Sequence, residues 1–116
     1  MDRADLIAEI EMLEDHRIVR LSGELDLLGS PRLTVLLADL ARTATGGIVL
    51  DLSELEFIDS TGIATLLNTV RRLARSDRRM AIVVGSGPVR RALEIARLLD
   101  DLQASDNVAE ALAKVE

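Results

Sequence analysis

The chain has 116 residues, 48% of them hydrophobic and 1% aromatic, and a formal net charge of −6. This length fits one domain, residues 1–116, with enough aliphatic surface for a core, so wholesale disorder is not expected. The absence of cysteine excludes disulfides, thiol catalysis and thiolate metal sites, and the acidic balance argues against nucleic acid as the main partner. A polar N-terminus without an apolar run of spanning length predicts a cytoplasmic protein with no membrane insertion.

The N-terminal part of the chain predicts a β-hairpin. Residues 6–13 alternate between apolar and acidic side chains, residues 14–16 form a polar turn, and residues 17–22 alternate again. Two alternating runs separated by a few polar residues are typical of paired antiparallel strands. His16, the one histidine of the chain, is expected to be a solvated residue of this turn. The apolar side of the first strand comprises Leu6, Ala8, Ile10 and Met12.

A loop and a helix follow the hairpin. Residues 23–29 read Gly-Glu-Leu-Asp-Leu-Leu-Gly and predict the loop. Its pair Leu27-Leu28 is either buried in the core or exposed as a contact patch, and the sequence leaves both alternatives open. Ser30-Pro31 opens a helix with Ser30 as its N-cap, and a pair of glycines ends it. The predicted buried stripe of this helix consists of Leu33, Leu36, Leu37, Leu40 and Ala41.

The middle of the chain predicts a central strand, a tight turn and a second helix. Residues 48–52 form a short, nearly continuous apolar run, which suits a strand covered on both faces. Residues 59–62, Asp-Ser-Thr-Gly, form a turn that leads into an amphipathic helix. The apolar residues of that helix, at helical spacing, are Ile63, Leu66, Leu67, Val70 and Leu73.

The C-terminal part continues the alternation of strands and helices. Residues 80–84 predict another buried strand, Pro88 lies at the start of a third helix, and residues 98–104 predict a short edge strand. Asn107 is the predicted N-cap of the last helix, with Asp106 as the competing cap. The order ββαβαβα(β)α predicts an α/β fold with a mixed four- to five-stranded sheet, a parallel centre and about four helices packed on it. The inward residues of the third helix are predicted to be Val89, Ala92, Leu93 and Ala96.

Positive charge is concentrated in one segment of the chain. Residues 71–97 carry 8 arginines against 2 acidic residues, whereas residues 1–70 have a net charge of −8 and residues 98–116 one of −4. Such a segment either meets an acidic partner or lines the solvated faces of two helices, which is the more ordinary interpretation.

The turn of residues 59–62 is the sharpest local feature of the sequence. Ser60 stands where a helix begins, and the free backbone N–H groups and the helix dipole favour negative charge there. Its hydroxyl is therefore a candidate phosphate acceptor. Local physics alone slightly favours a plain helix cap, formed by Ser60 or Thr61. The two roles are compatible in one serine.

Enzyme and metal chemistry are weakly supported. A nucleophilic serine needs a nearby base, yet His16 lies in the predicted hairpin turn and no Gly-x-Ser-x-Gly motif is present. Asp51 and Asp59 can lie at the ends of neighbouring strands, but ordinary strand-end and turn acids are the favoured interpretation. Residues 85–87 suit a plain strand-to-helix connection, not a phosphate loop. We therefore expect no catalytic residue, no metal and no cofactor.

Three segments stand out together. They are Gly23-Glu24-Leu25-Asp26 after the second strand, Ser30-Pro31 at one helix start, and Phe57-Ile58-Asp59-Ser60-Thr61-Gly62 at the next. In combination they resemble the STAS domain, and more narrowly the bacterial anti-sigma factor antagonists. The resemblance runs from about Leu6 to Val115 and agrees with the predicted order of strands and helices.

This resemblance implies a regulatory binding protein and not an enzyme. In that family the unphosphorylated antagonist binds an anti-sigma factor that is also a serine protein kinase, and this binding frees the sigma factor. The kinase phosphorylates the serine that matches Ser60, and a metal-dependent phosphatase of the PP2C type reverses the step. The positions that the resemblance implies in partner binding are Asp26, Leu27, Leu28, Ser30, Asp59, Thr61 and Gly62.

Two positions depart from the commoner family pattern. Ala64 stands where a second glycine is frequent, and Leu27-Leu28 stand where more polar residues are usual, which leaves the identity of the partner open. The alternative function is a non-phosphorylated STAS scaffold in a stress-signalling assembly or a membrane transport complex. A small nucleotide-binding or catalytic protein is disfavoured, because a phosphate loop and a base are missing. We expect a monomer or a weak dimer.

Phosphorylation of Ser60 is expected to act locally. A phosphate adds about −1.5 to −2 charge beside Asp59, with Glu24 and Asp26 expected to be close in space. Like-charge repulsion and desolvation would then oppose docking without a global conformational change.

Overall fold

The computed structural model describes residues 5–116. Within them the chain forms four strands and four helices, in the order β1 (Ile7–Leu13), β2 (His16–Leu25), α1 (Ser30–Thr43), β3 (Ile48–Ile58), α2 (Ser60–Arg75), β4 (Met80–Val83), α3 (Pro88–Ile95) and α4 (Val108–Val115). The strands lie in one sheet in the order β1-β2-β3-β4; β1 is antiparallel to β2, and the other two pairs are parallel. The predicted α/β fold with a mixed sheet is confirmed.

Helices cover both faces of the sheet. The larger core packs Leu50 and Leu52 of β3 with Leu37 of α1, Leu66 of α2 and Leu93 of α3. Because successive strand residues point to opposite faces, β3 also contributes to a smaller core on the other side. That core joins three strands to α4 through Ile18, Val49, Ala81, Val83, Ala111 and Val115. The apolar run predicted for the central strand is thus buried on both faces.

Strand β1 is exposed along its whole length. It forms the outer edge of the sheet, next to β2 alone. The apolar side that alternation predicts exists, but none of the four described helices covers it, so Ile10 and Met12 remain exposed. Among residues 5–13, Leu6, immediately before the strand, is the one that belongs to the core.

The structure corrects one predicted strand boundary and one predicted strand. The segment predicted as a loop from Gly23 instead continues β2 to Leu25, with register irregularities against β3 and a positive φ of 85° at Gly23 that glycine adopts readily. Residues 98–104 are a series of turns and not an edge strand, because their backbone amides bond locally, as from Ala104 N–H to the Leu99 carbonyl. Ser105 alone makes a parallel bridge to β4, at Val83.

His16 is buried, contrary to the prediction of a solvated turn residue. Its Nδ1 accepts a hydrogen bond of 2.9 Å from the Gly47 N–H. One residue earlier, the carbonyl of Asp15 accepts from the Gly46 N–H at 2.9 Å. The histidine therefore joins the start of β2 to the start of β3, a contact between residues 31 positions apart that local patterning cannot reveal.

None of the helices in residues 5–116 is long and apolar enough to cross a membrane. The Asn107 cap predicted for the last helix is confirmed, since its side chain accepts from the Glu110 N–H at 2.9 Å.

Replacing Leu50 with alanine tests the position of the core. Leu50 is fully buried, so we expect the free energy of unfolding to fall by about 2–5 kcal/mol. The same change at Leu27, which is 66% exposed, should cost less than about 0.5 kcal/mol. Urea denaturation of both variants measures the difference, and equal losses would contradict the core assignment.

Candidate functional site

The carboxyl ends of β2 and β3 bring two loops together. Leu25 and Ile58 are the last residues of these strands and are partners in the parallel register. Since parallel strands leave the sheet at the same edge, residues 26–29 and residues 59–62 continue side by side. The Asp59 N–H donates to the carbonyl of Leu25 at 3.2 Å, which holds the two exits together.

The Asp59 carboxylate connects these two segments. Its Oδ1 accepts from the Gly62 N–H at 2.8 Å, which makes Asp59 the N-cap of α2. Its Oδ2 accepts from the Leu27 N–H at 3.2 Å. The prediction that Ser60 or Thr61 caps the helix is therefore wrong, because the preceding residue already performs that role.

Ser60 is the first residue of α2, and its side chain is exposed. Within residues 5–116, the backbone N–H groups of Ser60 and Thr61 have no acceptor, as is usual for the first turn of a helix. Thr61 itself is half-buried. The serine hydroxyl is thus accessible from solvent, at a helix end where negative charge is favoured.

Gly62 is required at its position by a close approach between elements. A Cβ at this residue would lie 2.5 Å from the carbonyl oxygen of Leu25 and 2.8 Å from Cγ1 of Ile58. Both neighbours belong to the strand ends that form the site. The glycine therefore lets α2 begin directly against the sheet, and it acts through this packing because the residue is buried.

Asp26 shapes the loop before α1. Its Oδ1 accepts from the N–H groups of Leu28 and Gly29, both at 3.1 Å, and its carbonyl accepts from the Ser30 N–H. The residue is itself buried. It fixes the loop, and together with Asp59 it places two carboxylates against the consecutive amides of Leu27 and Leu28.

The loop presents its two leucines to solvent. Leu27 is 66% exposed and Leu28 is 67% exposed. Of the two alternatives that the sequence left open, exposure is the one found. Phe57 at the end of β3 is also exposed, whereas its neighbour Ile58 is buried. We name Leu27 and Leu28 the apolar patch. Strand alternation next to Ile58 was the signal that could have predicted the exposure of Phe57.

Ser30 lies beneath the loop. The residue is buried, and its Oγ has no hydrogen-bond partner among the described residues. The N-cap of α1 is Gly29, without a side-chain cap bond, so the predicted capping role of Ser30 is wrong. Burial likewise removes Ser30 from the surface that a partner can touch directly.

The structure separates the residues that a catalytic site would need. His16 begins β2 at the opposite edge of the sheet, about 30 Å from the end of that strand at 3.3 Å per residue. Asp51 and Asp59 lie eight positions apart along β3 and its continuation, or roughly 25 Å. Asp51 instead accepts from the N–H and the hydroxyl of Ser53, at 2.9 and 2.7 Å.

One group of potential metal ligands occurs in the described part of the chain. The ligand atoms of Glu14, Asp15 and His16 lie within 4.8 Å of one another. The Nδ1 lone pair of His16 is already occupied by the Gly47 N–H. In a neutral imidazole the proton is then on Nε2, so neither ring nitrogen offers a lone pair to a metal.

The chain is similar to known proteins over most of its length. The model of the family described as the STAS domain matches residues 8–111. An anti-sigma F factor antagonist of Paenibacillus polymyxa is 35% identical over 112 residues, covering 93% of this chain and 95% of that protein.

Solved structures show the same fold. An anti-sigma factor antagonist from Mycobacterium paratuberculosis has a TM-score of 0.84 at 23% identity, covering 96% of this chain and 94% of that one. The Bacillus cell fate determinant SpoIIAA in its phosphorylated form has a TM-score of 0.67 at 23% identity, covering 90% and 94% of the two chains.

Substitutions at Asp59 and Ser60 test which of the two residues caps α2. Asp59→Ala should lower the free energy of unfolding by about 1–2 kcal/mol, because α2 loses its cap, and should speed hydrogen exchange at the Leu27 amide. Ser60→Ala should cost less than about 0.5 kcal/mol. Asp59→Asn, which keeps one acceptor oxygen for Gly62, is expected to fall between them. Equal destabilisation by Ser60→Ala and Asp59→Ala in thermal unfolding would contradict this assignment.

Proposed function

This chain belongs to the STAS-domain family and to its anti-sigma factor antagonists, and on that premise we propose that it is a phosphorylation-controlled binding protein. Its unphosphorylated form binds an anti-sigma factor that is also a serine protein kinase, which releases a sigma factor for transcription. The kinase phosphorylates Ser60 and thereby ends the binding, and a PP2C-type phosphatase restores it. The protein acts in the cytoplasm by binding and not by catalysis.

The exposure of Ser60 is the observation that carries this proposal. Because Asp59 caps α2, the Ser60 hydroxyl is not committed to the helix and projects from its first turn. A kinase needs such an accessible hydroxyl. The phosphate that results would sit at the helix N-terminus, near the N–H groups of Ser60 and Thr61, where an anion is favoured.

Repulsion at the site supplies the switch. Phosphorylation adds about −1.5 to −2 charge and considerable bulk. The Asp59 carboxylate directly precedes Ser60 in the chain and accepts from the Leu27 N–H. The Asp26 carboxylate accepts from the next amide of that loop, the Leu28 N–H. A partner fitted to the free hydroxyl would have to desolvate this concentrated negative charge. The fold can stay unchanged, because all of the affected groups lie in the segments that follow the carboxyl ends of β2 and β3.

The apolar patch supplies the attractive part of the surface. Leu27 and Leu28 project beside Ser60 on a loop held by two aspartates, so little ordering is required when a partner covers them. Exposed apolar side chains of this kind mark interaction sites. A few buried apolar anchors commonly dominate the binding energy of an interface. We infer that the partner has an apolar recess that faces these leucines.

Substitutions at Ser60 test the switch. Ser60→Ala should bind the anti-sigma factor kinase of the same bacterium constitutively, and Ser60→Asp should bind a few hundred-fold more weakly, equivalent to about 3–4 kcal/mol. Isothermal titration calorimetry measures both affinities. Intact-mass analysis of the protein from its native cell, with site mapping, should find phosphate on Ser60. Equal affinities, or an unmodified Ser60 under all growth conditions, would instead favour a non-phosphorylated scaffold.

The apolar patch can be tested separately from the switch. Leu27→Ser with Leu28→Ser should weaken kinase binding at least about tenfold, because the anchors are lost. The matched control is Val35→Ser with Ile95→Ser, since these side chains are 64% and 75% exposed but lie on α1 and at the end of α3. If the control pair weakens binding as much as the leucine pair, the effect is general and the patch is not the docking surface.

A further inference from the structure

The exposed face of α2 runs from Ser60 to a group of arginines. Residues spaced three or four apart lie on one side of a helix. Five such residues are all exposed, and the most C-terminal of them are basic. We name this set the α2 stripe: Ser60, Ala64, Asn68, Arg71 and Arg75.

The arginines of the α2 stripe have no partner within residues 5–116. Neither Arg71 nor Arg75 makes an ion pair or a side-chain hydrogen bond there. Other arginines of the chain are paired: Arg90 donates to Asp106 and Glu94, which raises its pKa, and Arg42 donates to Asp39. The charge of the stripe is therefore available to another molecule.

The stripe is continuous with the surface around Ser60. At 1.5 Å per residue, Arg71 lies about 17 Å and Arg75 about 23 Å from Ser60 along the helix axis. A protein interface of ordinary size covers roughly 800 Å² on each partner, or about 30 Å across. A partner that covers Ser60 and extends along α2 therefore reaches the arginines, and the small side chain of Ala64 between them does not obstruct it.

We propose that Arg71 and Arg75 form an electrostatic docking patch for an acidic surface on the protein that covers Ser60. The inference rests on the proposed function for the identity of that protein and adds the chemistry that it must present. The occupant is an acidic protein surface and not a nucleic acid. A long polyanion following the stripe would meet the Asp59 carboxylate at its other end, on a chain of net charge −6.

The patch and the switch work on different steps of binding. Charges near an interface rim act mainly on the association rate. At about 0.1 M salt the Debye length is about 10 Å, which is shorter than the distance between Ser60 and Arg71. Phosphate on Ser60 therefore leaves the patch effective. Phosphorylation shortens the lifetime of the complex, while the arginines still govern how often the partners meet.

Charge reversal with a matched control tests the patch. In a Ser60→Ala background, Arg71→Glu with Arg75→Glu is compared with Arg91→Glu with Arg97→Glu. The second pair reverses two exposed arginines on and just after α3 whose side chains have no partner in the described part of the chain. Both changes lower the net charge by 4. Stopped-flow association with the anti-sigma factor kinase should slow about tenfold for the α2 pair at low salt and about twofold or less for the α3 pair. The difference should shrink at high salt. Equal slowing of both pairs overturns the proposal.

A second measurement does not need the kinase. A synthetic peptide of eight glutamates is titrated into the ¹⁵N-labelled protein, and amide shifts are followed by NMR. The shifts should cluster in the last two turns of α2 and disappear when salt rises from about 20 to about 300 mM. Shifts that are absent, or equally large around Arg91, overturn the patch. Failure of kinase binding with a positive peptide result would count against the proposed function alone.

Discussion

The double use of one carboxylate at Asp59 is the constraint on which the site depends. One oxygen accepts from the Gly62 N–H and caps α2, and the other accepts from the Leu27 N–H across the gap between two loops. A serine at this position would offer a single oxygen. An asparagine would offer one acceptor and one donor. A carboxylate receives the two amides on separate oxygens and presents no donor to either of them, which leaves the next residue, Ser60, free of any capping role.

The parallel pairing of β2 and β3 makes that arrangement possible. Both strands end at the same edge, and the residues that end them, Leu25 and Ile58, belong to the larger core. Because Gly62 has no side chain, α2 can begin directly against these strand ends. The proposed phosphate acceptor, Ser60, is therefore exposed directly above two strand ends that belong to the larger core. A modification there changes the surface without needing to disturb the packing beneath it.

Predictions from the sequence are confirmed where the pattern is local, and they are wrong where the outcome depends on contacts between distant parts of the chain. The apolar run of β3 and the Asn107 cap are local, and both are confirmed. The prediction for His16 is wrong because its hydrogen-bond donor, the Gly47 N–H, is far away in the chain. The alternation of β1 is real, yet no pattern says that a strand lies at an uncovered edge.

The candidate site shows the same division. A cap by Asp59 and a cap by Ser60 differ by one residue, and propensity favours both residue types, so only geometry distinguishes them. Leu27 and Leu28 are exposed on a loop whose amides bond to Asp59 and Asp26, and the first of these bonds joins residues 32 positions apart. The proposal that Ser60 is phosphorylated comes from the combination of three motifs, because its local physics alone slightly favours a plain helix cap.

In the proposed mechanism, the two ends of α2 act on different steps of binding: one end on the lifetime of the complex and the other on the rate of association. The carboxylates of Asp59 and Asp26 lie near the N-terminal end of α2, and the arginines at its other end have no partner within residues 5–116. Had the arginines stood beside Ser60, they would have paired with the phosphate and stabilised the modified form. Their distance of several turns avoids this, because screening confines the effect of the phosphate to its own end of the helix. A partner can thus be attracted to either form of the protein and be retained by only one.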